Sequence, residues 1–116
     1  MTSRPAIATA CIAMVLSLGA APVNAQGSMS VDDAALCSAS LKLAQDNLGN
    51  TLSQRAKFIE MSNWFGAKGR EMNDQIFAQQ YTIYTAAFED ARDNGDPQFG
   101  SAVTGCQTYF ETANSD

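Results

Sequence analysis

The chain has 116 residues, twelve acidic against seven basic, no histidine and a formal net charge of −5. Without histidine, the Ser-His-Asp and Cys-His mechanisms in their usual forms are excluded, as is the common zinc and haem ligand. The acidic balance argues against nucleic acid and against an anionic membrane surface as partners.

Residues 1–5 carry one charge, Arg4, and residues 6–21 form a run of small and apolar side chains. Val23-Asn24-Ala25 then places small or apolar residues at the −3 and −1 positions of a cut after Ala25. This order is that of a secretory signal peptide. The apolar run is about 16 residues, short of the ~20 that span a bilayer. Cys11 has no leucine three residues upstream, so no lipid anchor is expected. The expectation is a cleaved signal peptide over residues 1–25 and a single domain over 26–116. That domain is periplasmic or secreted and has no stable membrane association. Losing Arg4 leaves Lys42, Arg55, Lys57, Lys68, Arg70 and Arg92 against twelve acidic residues, a net charge of about −6.

Ser30 and Asp33 have the spacing of a capping box, and Asp32 and Asp33 suit the positive end of a helix. The helix is expected over 31–48, with Cys37, Leu41, Ala44 and Leu48 on one stripe and Gly49 in the left-handed terminating position. Thr51 and Gln54 have capping-box spacing for a second helix. Leu52, Ala56, Ile59 and Asn63 share one of its faces, and Phe58, Met61 and Phe65 another, so it is expected to sit between neighbours. A short connection through Arg70 and Glu71 leads to a third helix capped by Asn73 and running to Asp93. Within it, residues 76–91 are the longest periodic segment. Ile76, Phe77, Tyr81, Ile83, Tyr84, Ala87, Phe88 and Ala91 fall in one half of the wheel. Asn94-Gly95 ends it, and Asp96-Pro97 starts a fourth helix. There Phe99, Ala102, Val103, Cys106, Tyr109, Phe110 and Ala113 recur at three- and four-residue spacing. Four short-linked amphipathic segments predict an all-α domain, a four-helix bundle.

Cys37 and Cys106 lie on the apolar stripes of the first and last helices. They are the two cysteines of residues 26–116, and in an oxidising compartment that even count predicts a disulfide joining them. On the chain-entropy model such a bridge stabilises by about 4 kcal/mol. No C-x-x-C pair or histidine is present to lower a thiol pKa.

Trp64-Phe65-Gly66 with Lys68, Gly69 and Arg70 is the most distinctive cluster. Together with Arg55 and Lys57 it supplies the candidate partner-binding residues: Trp64, Phe65, Arg55, Lys57, Lys68 and Arg70. Large aromatics beside basic residues suit a partner contact. A lone tryptophan in a small helical domain equally suits a core anchor, and both readings stand. The glycines allow close helix contact and do not form a phosphate loop. Gln80, amid the apolar half of its helix, needs partners for its amide. Asn63 is one candidate, and lining a small pocket is the alternative. Glu89, Asp90, Asp93 and Asp96 lack the spacing of a calcium loop, and ending one helix and capping the next accounts for Asp93 to Pro97.

With the signal-like segment, Cys37, Trp64-Phe65-Gly66 and Cys106, the layout resembles small helical periplasmic proteins with one disulfide, in the manner of the HdeA-type acid-stress chaperones. It is also similar to small exported helical proteins of alphaproteobacteria, in which an aromatic-Phe-x-Gly-Arg-like stretch can follow the second helix. The resemblance implies a bundle fold, a disulfide, client or partner binding and no catalysis.

The expected function is therefore a non-enzymatic exported module, with no cofactor or metal, that binds another protein. In its acid-stress form, protonation of the carboxylates turns the chain positive and loosens it. The alternative is an immunity- or inhibitor-type neutralising partner using the basic 55–70 stretch. The rival class is an enzyme or small-ligand carrier with a pocket near Trp64 and Gln80.

Overall fold

The computed structural model describes residues 29–115. The expected signal peptide lies outside the described residues. Three helices make up the structure: α1 (Val31–Ala44), α2 (Leu52–Asp93) and α3 (Pro97–Ala113). Among the described residues there is no strand.

The capping chemistry sets where the helices begin. The Asp33 backbone N–H donates to Ser30 Oγ at 3.0 Å, and the Ser30 N–H donates to the Asp33 carboxylate at 3.2 Å. Thr51 and Gln54 repeat this reciprocal arrangement at the start of α2. Asp96 accepts from the Gln98 N–H at 2.9 Å, with Pro97 in the first turn of α3. Each pair satisfies backbone donors that a helix start leaves free.

α1 stops at Ala44, four residues earlier than its stripe predicts. The Asn50 side chain donates to the carbonyls of Ala44 and Gln45, and Asn47 accepts from the Gly49 N–H. These side-chain bonds satisfy the last carbonyls of the helix and turn the chain. Leu48 is therefore left outside, 94% exposed. Gly49 is not left-handed. Among the described residues Gly95, at φ 71°, is the glycine with positive φ, and it lies in the expected turn between α2 and α3.

The structure has three helices where four are expected, and the difference lies at Asn73. Helical structure continues through Arg70 and Glu71, and a single residue, Asn73, leaves helical geometry at φ −167°, ψ 98°. Its side chain accepts from the Ile76 N–H at 3.0 Å, which restarts the helix after the kink. The kink divides α2 into an N-terminal arm (52–72) and a C-terminal arm (74–93).

α1 is the central element. Ala34, Ala35, Cys37, Ser38, Ala39, Ser40, Leu41, Leu43 and Ala44 are all buried, and they point in every direction around the helix. A helix apolar all round must be enclosed. Cys37 and Leu41 pack with Met61 and Phe65 of the N-terminal arm and with Cys106 and Phe110 of α3. Ala34 and Ala35 pack on Phe77. Ala39 and Leu43 pack on Phe88, with Phe99 and Ala102 of α3 beside them. The 76–91 segment is thus one wall of an assembly built around α1.

That wall buries a narrower strip than its wheel predicts. Phe77, Tyr81, Tyr84 and Phe88 turn inward, whereas Ile76 and Ile83 are 41% and 59% exposed. A stripe alternating at four and three residues is all that one neighbouring helix covers. The same holds for the N-terminal arm. Met61 and Phe65 are buried, but Leu52 and Ile59 are 85% and 39% exposed, and Ala56 and Asn63 lie outside with them. This arm does meet two neighbours, since Met61 and Phe65 pack on α1 and on α3, but its remaining side is open.

The Cys37–Cys106 disulfide is formed, with Cα atoms 5.4 Å apart across a sequence separation of 69 residues. It joins the central helix to the last one. On the chain-entropy model a loop of this length is worth about 4 kcal/mol.

Candidate functional site

The six candidate partner-binding residues all lie on the N-terminal arm of α2, but on opposite flanks of its buried strip. Trp64, Lys57 and Lys68 face the α3 side. The Trp64 ring meets Phe65 edge-on at 4.9 Å and Phe110 at 5.4 Å, with Tyr109 tilted against it at 6.4 Å. Lys68 Nζ lies 5.3 Å from the Trp64 ring centre, and Lys57 Nζ 5.1 Å from that of Phe110. Trp64 is half-buried, so it is at once a core anchor and a surface group. Phe65 is fully buried. It supports Trp64 from beneath and has no surface to offer a partner, because the arm turns its 61–65 face directly onto Cys37 and Leu41. Lys57 also pairs with Glu60 at 3.5 Å, an exposed contact of little energetic weight.

Arg55 and Arg70 lie on the other flank, with Leu52 and Ile59. Arg70 is held in place from two sides. Its guanidinium carbon is 5.1 Å from the Phe77 ring centre. It also lies against Gly66, where an added Cβ would come within 3.3 Å of Arg70 Nη1 and 3.4 Å of Ser38 Oγ. Gly66 therefore lets Arg70 and α1 approach the same stretch of backbone.

On this flank a cleft of about 320 Å³ opens between α1 and the two arms of α2. Its floor is the Ser38–Ser62 pair. Ser38 Oγ donates to the Ser62 carbonyl at 3.0 Å, and Ser62 Oγ donates to the Ser38 carbonyl at 2.9 Å. Lys42 and Gln45 line it from α1, Ile59, Asn63 and Arg70 from the N-terminal arm, and Tyr81 from the C-terminal arm. The charged residues of this lining, Lys42 and Arg70, are both cations, and no carboxylate lines it. The ion pairs among the described residues, Lys57–Glu60 and Arg92–Asp93, involve neither. The serine hydroxyls are already committed to carbonyls. The cleft therefore offers positive charge, amide hydrogen bonds and an aromatic wall, without a base placed to activate a nucleophile.

The second polar feature ties α1 to the C-terminal arm. Asp32 accepts from Gln80 Nε2 and from the Tyr84 hydroxyl, each at 2.7 Å. Gln80 thus finds its partner in Asp32 and not in Asn63. The Tyr84 hydroxyl is pushed well above the ordinary tyrosine range, first by burial, then by its bond to Asp32 and by the charges of Asp32 and Asp33. Neither Gln80 nor Trp64 lines the cleft, so the pocket lies elsewhere than expected.

The carboxylates around Gly95 serve the turn. Asp96 caps α3, Asp93 pairs with Arg92 at 3.3 Å, and Asp90 accepts from Asn94. Among the described residues no group of three or more His, Cys, Asp or Glu is placed to hold a metal ion.

Lys42, Gln45, Ser38, Ser62 and Tyr81 escape sequence reasoning as site residues. One signal was present: serines at positions 38 and 62 interrupt helix faces that are otherwise small or apolar. Their convergence with Lys42 and Arg70 depends on how the helices cross.

Comparison with known proteins gives no family model, curated protein or solved structure that matches this chain.

Proposed function

We propose that the chain is an exported, disulfide-stapled helical module that binds another protein through the outer flank of the N-terminal arm. The signal-like residues 1–25 and the Cys37–Cys106 bond support export to an oxidising compartment. The observation that carries the binding surface is the exposure of Leu52 and Ile59 on one face of the arm, a face they share with Arg70, with Arg55 on the same flank. Large apolar side chains exposed together mark contact surfaces. The partner this flank fits is an acidic protein surface carrying apolar anchors. The rest of the chain is acidic and repels such a partner, which directs it to this arm. The test is affinity capture from periplasmic extract by the wild-type protein and by Leu52→Asp/Ile59→Asp and Arg55→Glu variants. An acidic protein held by the wild type and released by both variants is expected. Capture indifferent to both variants sinks the proposal.

A finer form of this reading is acid-stress chaperone activity, and the excess of carboxylates over basic residues favours it. One carboxylate, Asp32, holds both Gln80 and Tyr84, so a single side chain makes the polar tie between the C-terminal arm and α1. The disulfide keeps α1 and α3 together. Dye binding between pH 7 and pH 2 tests this, together with aggregation of a client protein at pH 2–3. Reversible opening that protects the client supports the chaperone. A domain that stays closed at low pH leaves the fixed-surface form, an immunity- or inhibitor-type partner.

A further inference from the structure

We propose that the cleft above Ser38 and Ser62 is a binding site for a small dicarboxylic acid. The argument begins with the direction of the helices. Gly69 abuts Ala34, and Ser62 bonds Ser38, so α1 and the N-terminal arm run antiparallel. Arg70 therefore leaves the backbone near the Ala34 end of the cleft, and its guanidinium folds back over Gly66 beside Ser38. Lys42 enters one helical turn beyond Ser38, at the other end. One turn is about 5.4 Å, so the two cations approach the floor from opposite ends. A short dicarboxylate presents one charge to each.

The chemistry of the walls agrees. Arg70 offers a planar fork that takes a carboxylate through two parallel hydrogen bonds. Its contacts with Phe77 and Gly66 hold that fork in place before any ligand arrives, which lowers the cost of ordering it. Lys42 offers a point charge at the opposite end. Gln45 and Asn63 supply amide donors, and Tyr81 and Ile59 supply apolar wall for the carbon chain. A volume of about 320 Å³ is at the lower end of ligand-pocket sizes and suits a small organic acid. In a chain with twelve acidic residues, a lining with two cations and no carboxylate is selective for anions. Its charge opposes the charge of the molecule as a whole.

The site shares Arg70 and Ile59 with the protein-binding flank, but its test uses no protein partner and is run at pH 7, where acid opening plays no part. The purified, disulfide-bonded protein is titrated with succinate, with acetate and with inorganic phosphate, followed by calorimetry and by backbone amide shifts. Saturable succinate binding at least tenfold tighter than either of the others is expected, with shifts centred on Ser38, Asn63 and Tyr81. Lys42→Met and Arg70→Met should each weaken it by tenfold or more, as loss of a charged hydrogen bond does. Near-UV circular dichroism verifies that both variants are folded. Lys42 is exposed, so its variant reports on binding even where Arg70→Met perturbs packing. Acetate or phosphate binding as tightly as succinate overturns the dicarboxylate assignment. Succinate binding unaffected by Lys42→Met overturns the site.

Discussion

The two arms of α2 grip the same central helix by different means. The N-terminal arm approaches closely. Gly66 and Gly69 admit α1 almost to the backbone, Ser62 and Ser38 exchange hydrogen bonds, and Met61 and Phe65 close on the disulfide. The C-terminal arm stands off on aromatic rings. Phe77, Tyr81, Tyr84 and Phe88 fill the space, with Phe77 stacked on Tyr81 and Tyr84 on Phe88, and Asp32 supplies the polar tie. Close backbone approach with small residues is rigid and intolerant of added atoms. An aromatic seam closed by one carboxylate depends on a single side chain for its polar tie. The kink at Asn73 lets one helix carry both kinds of contact.

The sharpest way to break this contrast is Phe65→Ala. Phe65 is fully buried beside Cys37 and Cys106, and deleting such a ring costs about 3–5 kcal/mol. Chemical denaturation measures the loss, and a cost below that of Phe88→Ala would contradict the tighter packing of the N-terminal arm. Gly69→Ala follows. The added methyl would fall 2.3 Å from Phe77 Cδ1 and 3.0 Å from Ala34 Cβ. Overpacking of this kind costs about 1–3 kcal/mol, and a variant as stable as wild type would show that the inner corner of the kink is loose.

Tyr84→Phe probes the other arm. It removes one of two bonds to Asp32, and a half-buried bond to a charged group is worth about 1 kcal/mol. Its pH dependence is more diagnostic. The Tyr84 hydroxyl titrates above its ordinary value in the fold, so above about pH 10 the unfolded chain releases a proton that the folded chain keeps. Tyr84 thus contributes stability that is fully present below about pH 10 and is lost as pH rises beyond it. Thermal unfolding from pH 8 to 11 should show a decline that is shallower in Tyr84→Phe. Parallel declines would remove Tyr84 as its source. The smallest effect is expected at Ile83, which is 59% exposed. Ile83→Gln should change stability by less than about 0.5 kcal/mol. A larger loss would mean that the outer side of the C-terminal arm is covered.

Helix starts and the disulfide were legible because each depends on few residues. Ser30 with Asp33, Thr51 with Gln54, and Asp96 with Pro97 are local pairs whose chemistry is the same wherever the helix ends up. The candidate site was legible only in part. Arg70, Trp64 and the lysines stand out by residue type, and the wheel sets Trp64, Lys57 and Lys68 apart from the Leu52 face, but it could not show which flank meets α3. Lys42 and Tyr81 gave no signal, since a single lysine on one helix and a tyrosine on another form a site only where the helices cross.

The sequence by itself determined the all-helical class, the caps, the turn at Gly95 and the pairing of Cys37 with Cys106. These follow from local hydrogen-bond chemistry and from the two cysteines that residues 26–116 hold. The tertiary structure decided which helix is enclosed, how narrow each buried strip is, that Asp32 is the partner of Gln80, and that Lys42 and Arg70 share a cleft. Periodicity reports that a helix has an apolar face, but how much of that face is covered depends on how many neighbours reach it. Here α1 is enclosed by both arms and α3, and each arm of α2 is left with an exposed side.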